Sequence, residues 1–437
     1  MFDYDIVFIG GGLNYAGAVV AAKRGFKTAL LERDLSHLGG TCLHNGCIPS
    51  KHFLHLSETL LKLKNPSYKI HKDRLKLPVA VEQKDALVLK ATKSIMQQCQ
   101  SAGVELIEAQ GYLVDENLIE AGGRKIGAKY VVMGTGSYPF IPPGIEYDKT
   151  CVITSDEVLN LREFPKSIAI YGSGAIGLEM AGFFAANGVD TTLIYRHGHI
   201  SNKIHPLLVE AIEKELSKNG VKLMPDTSIV EAAEHERRAR VVTNKDIYEF
   251  DALLVATGRV PDTEVVKCDK IEVSKGIVCD DFFETALKNH FAVGDCNGKL
   301  QLAHAARAQV LNVVDNIAGK KRRLNLNNIP RFIYTLPLQY ASVGIKGDKE
   351  AYFPLSAMAL PHLTEAASGG VVVYADEEGF LTGAEIYSPH AEEIVGSVTT
   401  ALSGEMDVES FLRTVFPHPT YSEAIDRALR RLLRDLK

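Results

Sequence analysis

With 437 residues, the chain is too long for one hydrophobic core, so roughly two to four domains are expected. Hydrophobic residues make up 46% and charged residues 24%, as in globular proteins, and a formal net charge of -5 argues against broad binding of nucleic acid. No apolar run is long enough for a transmembrane helix, and no Lys or Arg precedes the first apolar run as a signal peptide would require, so we expect neither membrane insertion nor export.

The N-terminal segment has the pattern of a dinucleotide-binding unit. An apolar strand is predicted over residues 5–9, followed by Gly10-Gly11-Gly12, a helix and a second strand that ends at Glu32. Glu32 lies 22 positions after Gly10, about where such units place the carboxylate that hydrogen-bonds an adenosine ribose. Position 15 is Tyr rather than a third glycine, so we expect the small residues that follow, Gly17 among them, to permit close packing of the helix on the strand.

Cys42 and Cys47 are the one close pair among seven cysteines. So few pairs do not form a disulfide framework, which favours a reducing cytoplasm. Pro49 predicts a helix start that places Cys47 near an N-terminus, where the helix dipole favours a thiolate. Such a pair could also bind zinc or serve packing alone. Its position after a glycine-rich βαβ pattern favours a redox-active dithiol without a metal.

The segments that follow predict helices and then a strand. Helical periodicity runs over residues 52–63, a Lys-rich segment follows, and a second helical pattern covers residues 85–102. Residues 130–137 read as a strand that enters a glycine turn, and prolines then mark a linker, so we place the first boundary near Tyr147.

A complete G-x-G-x-x-G fingerprint occupies residues 172–177. A strand over residues 167–171 precedes it, and a helix to about Asn187 and a strand over residues 191–195 follow, which is the order that a dinucleotide site requires. Residues 251–259 repeat the strand-into-glycine pattern of the first unit.

The last third of the chain changes character. Residues 290–295 form an apolar strand that ends in an acidic turn, and a helix begins near Leu302. We interpret the charge run over residues 320–323 as a solvated loop. From Pro330 onward β-branched strands alternate with helices, and the C-terminal helix carries an apolar stripe that we expect to dock on this region.

Taken together, these segments resemble the FAD-dependent pyridine nucleotide-disulfide oxidoreductases. The resemblance rests on four segments in the family's order, namely Gly39-Gly40-Thr41-Cys42 with Cys47-Ile48-Pro49-Ser50-Lys51, Ala256-Thr257-Gly258-Arg259, Val293-Gly294-Asp295, and Pro417-His418-Pro419-Thr420-Tyr421-Ser422-Glu423. The chain is most similar to the dihydrolipoamide dehydrogenase subgroup. His44 and Asn45 stand where that subgroup usually has Asn-Val, and Phe416 stands where a histidine is common.

The resemblance implies an α/β fold with two Rossmann-like domains, for FAD and for NAD(P), and a C-terminal α+β dimerisation domain. The boundaries we expect are 1–146 for the first part of the FAD-binding domain, 147–262 for the NAD(P)-binding domain, 263–328 for the return to the FAD-binding region, and 329–437 for dimerisation. The FAD site it implies comprises Gly10, Gly12, Glu32, Gly40, Thr41, Lys51, Thr135, Gly136, Asp295 and Ala303. The NAD(P) site it implies comprises Gly172, Gly174, Gly177, Arg196, His197 and Gly258.

The same resemblance implies roles at the dithiol. Cys47 would face the flavin as a thiolate, Cys42 would form the mixed disulfide with substrate, and Lys51 would stabilise negative charge while paired with Glu179. His418 and Glu423 match the family's acid–base dyad, which acts on the cysteines of the partner subunit and therefore implies a homodimer.

The nicotinamide cofactor is left open by the sequence. NAD-binding units usually end the second strand in an acid, whereas here Tyr195 is followed by Arg196 and His197, a pair that resembles the glutathione reductases and suits a 2′-phosphate. The third glycine, Gly177, favours NAD instead, and Ala175 replaces the tyrosine that gates the nicotinamide pocket of glutathione reductases. We favour NADPH.

These observations predict a cytoplasmic flavoenzyme that passes two electrons between NAD(P)H, FAD, the cysteine pair and a small dithiol or disulfide. Dihydrolipoamide, free or on a lipoyl-bearing protein, is the leading substrate. An NADPH-dependent reductase of another small disulfide is the alternative, and a transhydrogenase or quinone-type reductase with idle cysteines is a third. Because Cys296 is the last cysteine, relays through a C-terminal cysteine pair are disfavoured.

Overall fold

The structure, a computed structural model, describes residues 2–63, 65 and 74–436. The Lys-rich segment predicted after residue 63 lies partly outside these residues. The elements of the first part are β1 (Tyr4–Ile9), α1 (Asn14–Lys23), β2 (Thr28–Glu32), α2 (Gly40–His44), α3 (Cys47–Leu63), α4 (Leu77–Ser101), β3 (Glu105–Glu108), β4 (Gly111–Asp115), β5 (Leu118–Ala121), β6 (Arg124–Met133) and β7 (Ser137–Pro139).

The second part contains β8 (Val152–Ile153), α5 (Ser155–Val158), β9 (Ser167–Tyr171), α6 (Ala175–Ala186), β10 (Asp190–Ile194), α7 (Pro206–Lys218), β11 (Val221–Met224), β12 (Ile229–His235), β13 (Arg238–Thr243), β14 (Ile247–Phe250), β15 (Ala252–Val255), β16 (Arg259–Pro261), β17 (His290–Ala292) and α8 (Ala303–Ile317). The C-terminal part contains β18 (Arg331–Ile333), β19 (Gln339–Gly344), β20 (Lys349–Pro354), α9 (Ala359–Leu363), β21 (Gly370–Ala375), β22 (Leu381–Ser388), α10 (Ala391–Ser403), α11 (Val408–Phe411) and α12 (Glu423–Leu436).

The first sheet has seven strands in the order β3-β2-β1-β6-β5-β4, with β17 also paired to β6. Its centre is parallel, and the return of β17 brings residues after 290 back to the first unit, as predicted. Helices α1 and α8 pack together over one face. A side chain at Gly17 would overlap Val310 and crowd Phe8, so this glycine permits the close approach that the sequence predicted.

The second sheet, β11-β10-β9-β15-β8, is entirely parallel, and a three-stranded antiparallel sheet, β12-β13-β14, lies beside it. At the turn into α6, Gly172 has a φ of 116°, and a side chain at Gly177 would overlap the carbonyl oxygen of Gly172. Both glycines are therefore required by the turn itself, independently of any ligand.

The C-terminal sheet, β18-β19-β22-β21-β20, is antiparallel, and α12 packs on β20 and β21. The predicted stripe of α12 docks there, because Ile425, Ala428, Leu429 and Leu432 are fully buried. The four domain boundaries stay predictions. In the described ranges no helix combines the length and apolar character that a membrane crossing requires.

Some predicted limits were wrong. Helix α4 begins at Leu77, eight residues before the predicted 85, because Pro78 in its first turn starts the helix there. Strand β6 begins at Arg124 rather than at 130, since its first half pairs with β5 as a hairpin arm. The sheet β12-β13-β14 was not predicted.

Candidate active site

The two cysteines lie on two consecutive helices, the short α2 and the longer α3, and both are free thiols. Cys42 is half-buried in α2, and Cys47 is exposed at the first position of α3. The Cys42 S–H donates to the Cys47 sulfur, and this hydrogen bond is the main reason why the pKa of Cys47 falls to about 7. Although the residue as a whole is exposed, protein atoms around the sulfur partly desolvate it and oppose the shift, whereas the Lys51 ammonium adds to the shift. The same hydrogen bond and burial raise the pKa of Cys42. The pair therefore favours a thiolate on Cys47 with the proton on Cys42.

Lys51 and Glu179, predicted as partners across 128 positions, form an ion pair in the structure. Lys51 Nζ lies 2.5 Å from Glu179 Oε1, which α6 carries in a buried position. The ammonium also sits 5.5 Å from the centroid of the Phe332 ring and 5.1 Å from that of Tyr334. These two aromatic residues come from β18 and the turn after it, and the sequence analysis missed them.

Glu423 is the first residue of α12, and His418 lies in the loop five residues before it, with its Nδ1 3.0 Å from Glu423 Oε2. Burial opposes ionisation of Glu423, but hydrogen bonds from His418 and from the backbone N–H of Thr420 outweigh it and lower the pKa of Glu423. The His418 side chain is 79% exposed. Within the described ranges, no hydrogen bond or ion pair joins this dyad to the cysteines of its own chain.

The first glycine turn forms an open cradle. Gly10 has a φ of 97°, and its backbone N–H donates to the carbonyl oxygen of Leu31 at the end of β2. Gly12 has no atom within 4 Å of the place where a side chain would begin. The backbone N–H of Gly11 donates to Glu32 Oε2 at 2.6 Å, so the predicted ribose ligand also fixes the turn.

A polar cluster lies where β6 and β17 end side by side. Ser137 Oγ donates to Asp295 Oδ2 at 2.6 Å, and Arg259 Nε donates to Ser137 Oγ at 2.8 Å. Burial raises the pKa of Asp295, although Ser137 and Arg259 oppose the shift. Nearby, the Thr135 hydroxyl donates to the backbone carbonyl of Asp262. Ser137 and Arg259 lie in segments with recognisable sequence patterns, but nothing in those patterns joins them to Asp295.

These residues fit a bound dinucleotide such as FAD. The open face of Gly12 leaves room for a pyrophosphate against backbone N–H groups, as helix N-termini provide for anions. Gly40 and Thr41 begin α2 beside Gly12. No atom lies within 4 Å of the place where a side chain at Gly136 would begin. Asn14 Oδ1 is buried in the first turn of α1 without a hydrogen-bond partner among the described residues. A carboxylate at Asp295 and the N-terminus of α8 at Ala303 complete the set.

The second glycine turn also leaves open space. Gly174, the N-cap of α6, and Gly258, with a φ of 128°, have no atom within 4 Å of an added side chain. Arg196 and His197 are exposed just after β10, and no ion pair engages Arg196 within the described ranges. Ser173 Oγ donates to the carbonyl oxygen of Ile200 at 2.7 Å, which ties the fingerprint turn to the loop that carries Arg196. This arrangement fits a nicotinamide dinucleotide.

His44, one of the two unusual residues between the cysteines, is half-buried. Its Nε2 lies 3.1 Å from the carbonyl oxygen of Leu38, and its ring centroid is 5.0 Å from that of His37. Burial lowers the pKa of His44. In the part of the chain that the structure describes, no three His, Cys, Asp or Glu side chains are grouped as ligands for a metal ion.

Comparisons with known proteins agree with this geometry. The family described as pyridine nucleotide-disulphide oxidoreductase matches residues 4–309, and the dimerisation domain of the same family matches residues 329–429. Dihydrolipoyl dehydrogenase of Synechocystis is 30% identical over 98% of this chain and 99% of its own, and that of Chlamydia trachomatis is 29% identical over 96% and 95%. Among solved structures, LpdA from Mycobacterium tuberculosis has a TM-score of 0.89 at 23% identity over 98% of this chain and 99% of its own. The HOCl-induced flavoprotein disulfide reductase RclA from Escherichia coli has a TM-score of 0.87 at 22% identity, over 98% of this chain and 99% of its own.

Proposed function

The chain belongs to the pyridine nucleotide-disulphide oxidoreductases and is an FAD-dependent oxidoreductase, and from this premise we propose that it is a homodimer that oxidises dihydrolipoamide through Cys42 and Cys47. The observation that carries the proposal is the polarised cysteine pair, with a pKa of about 7 at Cys47 and a retained proton at Cys42. The relatives named as dihydrolipoyl dehydrogenases support the choice of substrate.

In the oxidised enzyme the two cysteines form a disulfide. A substrate thiolate attacks Cys42 Sγ, a mixed disulfide forms, and Cys47 leaves as a thiolate. The second substrate sulfur then attacks the first, the substrate disulfide closes, and Cys42 leaves as the thiol that holds the remaining proton. Two electrons thus pass from the substrate to the cysteine pair. Bound FAD, which the Gly10–Gly12 turn, Glu32 and Asp295 would hold, would supply the two-electron chemistry that links the cysteine pair to NAD(P)+.

The two remaining pairs, Lys51 with Glu179 and His418 with Glu423, stabilise the thiolate and transfer a proton. Lys51 stabilises the thiolate on Cys47 and is held by Glu179. His418, oriented by Glu423, takes the proton of the attacking substrate thiol at Nε2, because Nδ1 is engaged by the carboxylate. Because His418 is exposed in one chain, we propose that it serves the cysteines of the partner subunit.

A second candidate is an NADPH-dependent reductase of another small disulfide. The exposed Arg196 guanidinium, followed by His197, favours a 2′-phosphate and hence NADPH. We therefore propose NADPH as the preferred nucleotide, with dihydrolipoamide or lipoamide as the first dithiol–disulfide couple to assay.

Anaerobic reduction tests the proposal. Addition of NADPH or NADH to the FAD-loaded enzyme should produce a thiolate-to-flavin charge-transfer absorbance, and steady-state assays should show turnover with lipoamide. Cys42→Ser should abolish turnover but keep the charge-transfer absorbance between the Cys47 thiolate and the flavin. Full turnover in Cys42→Ser would reject the disulfide mechanism, whereas activity with glutathione disulfide alone would reject only the substrate.

A further inference from the structure

Tyr334, in the turn after β18, makes two contacts with the Lys51–Glu179 pair and a third with Glu392 in α10. Its ring lies 5.1 Å from Lys51 Nζ, and its backbone N–H donates to Glu179 Oε1 at 3.2 Å. Its hydroxyl donates to Glu392 Oε1 at 3.0 Å. One residue therefore contacts both members of the ion pair and is itself anchored at its far end.

The first consequence is that the Lys51 ammonium has little freedom. A lysine side chain is flexible and carries a compact charge, so its direction must be set by its surroundings. Here the ammonium faces the Glu179 carboxylate and two aromatic rings, those of Phe332 in β18 and of Tyr334 just after it. Phe332 is in turn stacked on His304, with ring centroids 6.1 Å apart.

Glu392, which accepts the hydrogen bond from the Tyr334 hydroxyl, has a buried carboxylate oxygen without a partner among the described residues. Glu392 lies in the first turn of α10, and the oxygen without a partner is Oε2. Burial and the nearby carboxylates of Glu392, Glu179 and Glu393 raise the pKa of Tyr334, so its hydroxyl stays a donor. Loss of this hydroxyl would remove the hydrogen bond to Glu392 Oε1, while Oε2 already has no partner among the described residues.

We propose that Tyr334 is a positioning residue that confines the Lys51 ammonium beside the cysteine pair and so stabilises negative charge on Cys47. Lys51 follows Cys47 by one turn of α3, so the direction of its side chain decides how strongly its charge acts on the sulfur. Tyr334 acts only through Lys51. This inference rests on the proposed function, in which Cys47 carries the thiolate beside the flavin.

The test uses the full-length, FAD-loaded protein in a Cys42→Ser background, where no disulfide forms and Cys47 titrates alone. Two readouts follow its ionisation with pH, namely the charge-transfer absorbance and the rate of alkylation by iodoacetamide. We expect Tyr334→Leu to raise the apparent pKa of Cys47 by about half a unit, and Tyr334→Phe, which keeps the ring, to raise it by less. In a Lys51→Met background, Tyr334→Leu should cause no further shift.

Tyr340→Phe is a matched control. Tyr340 Oη also donates to a buried carboxylate of the same sheet, Glu385 Oε2, at 2.9 Å. Tyr340→Phe should lower the melting temperature by less than Tyr334→Phe does, because the backbone N–H of His205 still donates to Glu385 Oε2, and it should leave the titration of Cys47 unchanged. Equal Cys47 titrations in the parent, Tyr334→Phe and Tyr334→Leu would overturn the inference, as would an undiminished Tyr334→Leu shift in the Lys51→Met background. Absence of a charge-transfer band in the parent would instead reject the proposed function, and alkylation would still decide the role of Tyr334.

Discussion

Replacement of Lys51 by Met removes the ammonium that lowers the pKa of Cys47, while Glu179 acts in the opposite direction. Residues one helical turn apart lie about 6 Å from each other. Because Cys47 is exposed, an effective dielectric constant of about 40–80 applies, and the interaction is then about 0.7–1.4 kcal/mol. We therefore expect the apparent pKa of Cys47 to rise by about 0.5–1 unit.

The sign and size of the effect can be measured directly. With a pKa of about 7, roughly half of Cys47 is thiolate at pH 7, and in Lys51→Met this fraction should fall to about 10–25%. In the folded, FAD-loaded protein, the charge-transfer absorbance of the reduced enzyme should fall accordingly at pH 7. It should recover as the pH rises above the new pKa.

Glu179→Gln provides the opposite perturbation at the same ion pair. It removes the negative charge that raises the pKa of Cys47 and leaves Lys51 in place, so the thiolate should persist to lower pH than in the parent. A titration that moves in the same direction in both variants, or in neither, would refute the electrostatic account and leave only the Cys42 hydrogen bond as the cause.

Three further outcomes are expected. Gly12→Ala should fold with an unchanged melting temperature in the apo form, because its methyl group meets no atom, but it should lose FAD on gel filtration; retained flavin absorbance would contradict the cradle. Arg196→Ala should raise the KM for NADPH about 10–100-fold and leave that for NADH nearly unchanged, and an equal loss for both would reject the 2′-phosphate role. Hybrid dimers of Cys42→Ser and His418→Gln chains should recover up to half of the parental turnover, since one complete site remains, whereas inactive hybrids would show that each chain supplies its own histidine.

Local patterns predicted the parts of the site that depend on neighbouring residues in the chain. Gly172 and Gly177 shape one turn, and Cys47 is the first residue of a helix that has Pro49 in its first turn. Short-range geometry was therefore enough to predict these features. Contacts across the chain were predicted only where a resemblance supplied them, as for Glu179. Tyr334 could not be found in this way, because its contact with Lys51 joins the turn after β18 to α3 across 283 positions, and an aromatic residue beside a strand is ordinarily interpreted as a core residue.

The charges around Cys47 also explain why proton transfer has to come from elsewhere. Lys51 and Glu179 are paired, so their effects on Cys47 partly cancel, and the hydrogen bond from Cys42 is the largest single stabiliser of the thiolate. That hydrogen bond exists only while Cys42 keeps its proton, and none of these neighbours is suited to exchange it: Lys51 is held by its carboxylate, and Glu179 by the ammonium. The imidazole of His418 is suited to that exchange, and its side chain, five residues before α12 begins, is 79% exposed in one chain. The chemistry of the cysteine pair and the exposure of the dyad therefore both support the proposal that a complete site needs two subunits.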